Sequence, residues 1–133
     1  MSELEELGEW LDRYHIAWRS NDPDLIGALF SEDAVYRWHP WEDSRSGARG
    51  QNEIVEAWLK EPDEPGTWDL RCVPVAVNED LGVARCVTRY AATDDKPERV
   101  YHNIFLVRLD PDGRCSDFTE FFMEEPAPGG DAA

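Results

Sequence analysis

Basic residues are scarce in this chain: 13 Lys and Arg stand against 29 Asp and Glu over 133 residues, a formal charge of −16. Without a basic cluster, the counterion release that drives nucleic-acid binding is missing, and anionic lipid surfaces repel the chain. Neither nucleic acid nor membrane is therefore an expected partner. Long apolar runs are also absent, and the start MSELEELGEW is acidic where a signal peptide is basic and then apolar. A cytoplasmic location is the expectation. Cysteine is used only at Cys72, Cys86 and Cys115, widely spaced and without C-x-x-C or zinc-ligand spacing. These three are expected to be small buried thiols, not disulfide partners. The three histidines show no i, i+4 pairing, so no metal and no cofactor is expected.

What the chain does have is aromatic bulk. Six tryptophans and 41% hydrophobic residues supply a real core, and the length fits one domain. Leu4, Leu7, Leu11, Tyr14 and Trp18 recur at spacings of three and four, the stripe of an amphipathic helix over residues 3 to 20. Asp22-Pro23 reads as an N-cap with proline at the first helical position, and Leu25, Ile26, Leu29 and Phe30 form the stripe of a short second helix. Residues 34 to 39 have strand composition, 40 to 50 a loop's, and 51 to 59 a third helix with Ile54, Val55 and Trp58 on one side. The prolines and acids of 61 to 66 break that helix. From Trp68 the period becomes two, with turn signals at 78–80, 94–97 and 110–113. Four strands follow, at about 67–77, 82–92, 98–109 and 114–123, joined as an antiparallel meander. Helices first and sheet second make an α+β domain over 1–123, and the turn-rich residues 124–133 are expected to be a flexible acidic tail.

The order helix, helix, strand, helix, meander resembles the cone-shaped fold shared by nuclear transport factor 2, ketosteroid isomerase and SnoaL-like polyketide cyclases. The run from Asn21 to Tyr36 is similar to the family's acidic turn followed by a "lFaeDavy" segment. Gly50-Gln51-Asn52-Glu53-Ile54 is similar to its glycine-then-isoleucine helix start, and Asp112-Gly113-Arg114 to its last hairpin. The likeness covers about residues 7 to 122. It implies three N-terminal helices packed on a curved antiparallel sheet that encloses a cavity, and a homodimer through the outer sheet face. It implies no single activity, because the scaffold carries isomerases, cyclases, dehydratases, epoxide hydrolases and non-enzymes.

Alternation sorts the strands within that cone. Arg85 and Arg89 share a face, and unpaired guanidinium groups are costly to bury, so that face is the outer one. Ala84, Cys86, Thr88 and Tyr90 then point inward, and the same parity taken with the family resemblance implies that Asn103, Phe105 and Val107, and Phe118, Glu120 and Phe122, do so too. His102 and Arg108 belong outside. The family's ketosteroid isomerases use a helical tyrosine, an aspartate base on the first strand and a protonated aspartate on the meander. The resemblance puts Tyr14 at the first of these, but Trp38 at the base and Phe105 at or near the second acid. An indole cannot take a proton from carbon, so that isomerase mechanism is not expected.

Glu120 is the informative polar residue. Between Phe118 and Phe122 its carboxylate loses hydration, which raises its pKa toward the range of general acid–base work. Alternatively, it pairs with Arg37 or Arg114 and closes the cone. His39, beside the loop at the mouth, is the second proton-transfer candidate. Tyr14 is the third, or else a core residue with its hydroxyl satisfied. Tyr90 and Asn103 either orient a ligand's oxygen or are satisfied polar groups of the core. Trp18, Tyr36, Trp38, Trp41, Trp58, Tyr90, Phe105, Phe118 and Phe122 either line one cavity for a small hydrophobic ligand or interlock and fill it. Two functions remain open: a non-catalytic binding or dimerising module, and a cofactor-independent acid–base enzyme acting on a small apolar metabolite.

Overall fold

The computed structural model describes residues 2–43, 47–60 and 67–126. Helix α1 spans Glu3–Ser20. The Ser2 side chain accepts from the Glu5 amide, and acids fill the first turn where the helix dipole favours them. Asn21 ends the helix in the left-handed region, with φ at 53°. Its buried face is Leu7, Trp10, Leu11, Tyr14 and Ala17, rotated from the expected stripe so that Leu4 is exposed and Trp10 lies wholly inside. A buried indole needs an acceptor, and Trp10 Nε1 donates to the Leu29 carbonyl at 3.0 Å. Helix α2, Pro23–Ala28, starts as expected, the Asp22 carboxylate accepting from the Asp24 amide at 2.9 Å. Helix α3 is Gln51–Lys60.

The strands are β1 (Phe30–Arg37), β2 (Ala48–Arg49), β3 (Trp68–Asn78), β4 (Leu81–Tyr90), β5 (Arg99–Leu109) and β6 (Cys115–Glu124). They form one six-stranded sheet in the order β2-β1-β6-β5-β4-β3. The four-strand meander stands within one or two residues of its expected limits. The expected α+β cone is observed, with a mixed rather than wholly antiparallel sheet, because β1 lies parallel to β6. The whole meander separates those two strands in sequence, so no hairpin dictates their direction. Two local differences bear on the site. First, β1 begins four residues earlier than expected and ends at Arg37, leaving Trp38 and His39 beyond it. Second, the expected loop contains β2, which pairs antiparallel with β1. The helix breaker expected at 61–66, and residues 127–133 of the expected tail, lie outside the described residues.

Burial follows the expected parity on β4 and β5, but on β6 Thr119 is buried as well as Phe118, and Phe122, expected inward, is 48% exposed at the cavity's open end. Ala84, Cys86 and Thr88 on β4, Asn103, Phe105 and Val107 on β5, and Phe118 on β6 are buried, while Arg85, Arg89, His102 and Arg108 are exposed. Gly82 permits α1 to lie close on β4, since a Cβ there would stand 2.9 Å from Leu7 Cδ2. The cysteine expectation needs correction. Cys72 and Cys86 form a disulfide, and only Cys115 is a buried thiol. Fourteen residues apart in sequence, they fall directly opposite each other in the β3–β4 register with Cα atoms 4.1 Å apart. Sequence spacing alone does not reveal such a pairing, because it depends on the hairpin's register.

Candidate functional site

Between the inner face of the meander, α1 and α3 lies a cavity of about 550 Å³. Its closed end is aromatic. Tyr14 and Tyr36 both stack on Phe118, with interplanar angles of 15° and 22°, and Phe105 meets Tyr14 edge-on. The two tyrosine hydroxyls lie 3.5 Å apart and both residues line the cavity. Burial holds the Tyr36 phenol well above its ordinary pKa, with Tyr14 and Glu120 adding to the shift, so it stays protonated and able to donate.

Glu120 stands on the cavity wall in a short polar chain. Thr88 Oγ1 donates to Asn103 Oδ1 at 2.9 Å, and Asn103 Nδ2 donates to Glu120 Oε2 at 3.0 Å. The chain crosses three adjacent strands, and the alternation of β4, β5 and β6 is what turns all three side chains inward. Burial pushes the Glu120 carboxyl up to about 7, and the Asn103 amide pulls in the opposite direction. Neither Arg37 nor Arg114 pairs with it. Arg37 bonds Asp117 at 2.7 Å and Arg114 bonds Asp112 at 2.8 Å, so the salt-bridge alternative is overturned.

Trp18, Tyr36, Trp38, Trp58, Tyr90, Asn103, Phe105 and Phe122 all line the cavity, together with Tyr14, His39 and Glu120. Phe118 does not. It is wholly buried behind the tyrosines and forms the floor beneath them. Trp41 is 78% exposed and covers the His39 ring, 4.8 Å between centroids, instead of entering the cone. His39 sits at the rim, its Nδ1 3.5 Å from Glu42 Oε2. Trp38 and Phe105, at the positions where the resemblance puts the isomerases' acids, both face the cavity.

Four lining residues were not foreseen as part of a site: Ala57, Thr88, Arg99 and Tyr101. Extending the β5 alternation two steps before Asn103 reaches Tyr101 and Arg99. Arg99 lies over the Tyr90 ring, its Cζ 4.8 Å from the centroid. Glu124 hydrogen-bonds Tyr101 and raises its phenol pKa, with burial a lesser cause. Among the described residues, no group of three or more His, Cys, Asp or Glu side chains gathers as metal ligands would.

A family model described as the SnoaL-like domain matches residues 11–118. The chain belongs to the SnoaL-like family. A search of curated proteins finds no match to the sequence. Among solved structures, an NTF-2 like protein of unknown function from Burkholderia xenovorans superposes with a TM-score of 0.64 at 18% identity, covering 94% of this chain and 89% of that one. The epoxide hydrolase/cyclase-like enzyme SalBIII, concerned with pyran ring formation in the polyether salinomycin, gives a TM-score of 0.69 at 14% identity, covering 92% and 95%. A ketosteroid isomerase-like protein from Erwinia carotovora atroseptica gives 0.62 at 20% identity, covering 92% and 97%. At these identities the likeness shows the fold alone. Among the described residues, no helix of this SnoaL-like chain is long and apolar enough to cross a membrane.

Proposed function

We propose that this SnoaL-like domain binds a small, largely apolar molecule in its cone and moves a proton to or from it through Glu120, without a cofactor. One observation carries the reading: a carboxyl group on the wall of an aromatic cavity whose pKa is pushed up to about 7, where it can both take and return a proton at neutral pH. As a base, the Glu120 carboxylate removes a proton from a carbon next to a ligand carbonyl. The electron pair moves onto the carbonyl oxygen, which the Tyr36 or Tyr14 hydroxyl meets as a donor. The proton then returns from Glu120 to the same or a neighbouring carbon. Asn103 holds Glu120 in place, and Thr88 fixes the orientation of the Asn103 amide by donating to its oxygen. His39 at the rim is the candidate for exchanging the proton with water.

The test uses 2-tetralone, a small apolar ketone with exchangeable α-hydrogens, followed by NMR in deuterated buffer. The wild-type protein is expected to accelerate α-deuteration by a factor on the order of 10² or more, with the rate rising as pH passes through about 7. E120Q is expected to lose the acceleration while the ketone still quenches its tryptophan fluorescence. Acceleration that survives E120Q would remove Glu120 from the reaction. A second reading, binding without turnover, draws support from Trp38 facing the cavity where the related isomerases carry their base. Quenching with no acceleration in the wild type would establish that second reading.

A homodimer through the outer sheet face belongs to the same proposal. One row across the meander, Val73, Arg85, Ile104 and Phe121, is in register, and its three apolar members are 62%, 38% and 39% exposed, with Met123 beside them at 75%. A monomer mass independent of concentration in sedimentation would refute it.

A further inference from the structure

The guanidinium of Arg99 is out of keeping with every other feature of the cone wall. Among the other described arginines, Arg37, Arg71, Arg89, Arg108 and Arg114 each have a carboxylate within 4.0 Å, and Arg13, Arg19, Arg49 and Arg85, which do not, lie outside the cavity lining. No carboxylate among the described residues stands in ion-pair contact with Arg99, although the chain carries 29 acids. Its guanidinium hydrogen-bonds the Tyr101 side chain, while its Nε is shut off from solvent and has no hydrogen-bond acceptor among the described residues. A buried donor left unpaired is costly, and a cation held over a tyrosine ring inside a cavity keeps its charge aimed at whatever enters.

The position of Arg99 along β5 sets a length. Arg99, Tyr101, Asn103 and Phe105 alternate inward from the start of the strand toward the aromatic floor. Four residues of extended backbone separate Arg99 from Asn103, the residue that holds Glu120, or roughly 13 Å between backbone positions. Both side chains line the cavity. Resting on the proposed reading of this site as a small-molecule cone, we infer that its ligand is an anion: an apolar body seated against the tyrosine floor, bearing a carboxylate or a comparably charged oxygen group that Arg99 binds at the first-residue end of β5. Arg99 supplies the paired N–H donors that suit such a group. With a net charge of −16, the protein repels anions at long range, so any anion preference has to originate locally.

The probe is 4-(1-naphthyl)butanoate, compared with its primary amide by isothermal titration calorimetry at pH 6, where Glu120 is mostly protonated and does not repel the acid. The wild type is expected to bind the carboxylate about tenfold or more tightly than the amide, the scale of a charge-assisted hydrogen bond. R99M is expected to bring the two affinities within about twofold of each other by weakening the carboxylate far more than the amide, with an unchanged far-UV circular dichroism spectrum showing that the variant is folded. R99K is expected to keep part of the preference, since it retains the charge and loses the fork. Equal affinities in the wild type, or a preference that survives R99M, would overturn the assignment of Arg99 and leave the small-molecule reading standing. Failure of both probes to bind the wild type would overturn both.

Discussion

The two ends of the cone are built from the same kinds of residue and behave differently. At the closed end, Trp10, Phe30, Phe105 and Phe118 are all within 1% of complete burial and meet ring against ring, with Leu29 and Ile54 around them. At the open end, Trp18, Trp38, Trp58, Tyr90 and Phe122 are only partly covered and surround about 550 Å³ of space. Aromatic content therefore does not decide between a packed core and a pocket. The deciding feature is what faces each ring. At the closed end, helix α1 lays Trp10 and Tyr14 directly on Phe118, so no gap remains. At the open end, the inward positions of β4 to β6 carry Thr88, Asn103, Glu120 and Arg99, whose polar atoms bond each other across the wall or face the space instead of filling it.

The sharpest way to break this comparison is to open the closed end. F118A removes the ring on which both tyrosines stack, and it should cost about 3–5 kcal/mol in urea unfolding, the usual range for deleting a buried phenylalanine. A loss below about 1 kcal/mol would mean that the floor is not the tightly packed region described. An intermediate effect is expected from titrating the open end. The folded pKa of Glu120 is raised from an ordinary 4.5 to about 7, so its neutral form is favoured by folding. Stability from this group is fully present below about pH 4.5 and is lost as pH rises through about 7, up to a limit of about 3 kcal/mol. The wild-type stability minus that of E120Q, measured from pH 4 to pH 8.5, should fall across this window, and the subtraction cancels the repulsion among the other acids. A flat difference would mean that the carboxyl is hydrated. The smallest effect should come from W41A. Exposed outside the cone, Trp41 should change stability by no more than about 0.5 kcal/mol. A cost several times larger would show that the mouth is packed like the floor.

Much of the scaffold was legible along the chain because its signals are local. The Asp22-Pro23 start of α2, the period of α1 and the turn residues between meander strands act over a few positions, and the elements form where they point. Glu120 and Asn103 were legible as cavity residues because the outward arginine pair fixes the parity of β4 and the family resemblance carries that parity to its neighbours, as the observed register bears out. The resemblance to the SnoaL-like fold then supplied the closure that parity cannot. Trp10 was missed from the α1 stripe because three-and-four spacing tolerates more than one rotation of the helix. Arg99 was missed because the β5 alternation was read only from Asn103 to Val107 and not back to the start of the strand.

The sequence by itself determined the order of elements, the inward and outward faces of the meander, and the acidic character of a chain without a basic surface cluster. Each of these is set by neighbours within a turn or a strand step, or by summed charge. Only the tertiary structure decided that Cys72 meets Cys86, that β1 runs parallel to β6, that Glu120 is met by Asn103 rather than by Arg37, and that the aromatic set leaves a space beside Arg99. Those are contacts between segments 14 to more than 80 residues apart, and register and packing, not local preference, bring such segments together.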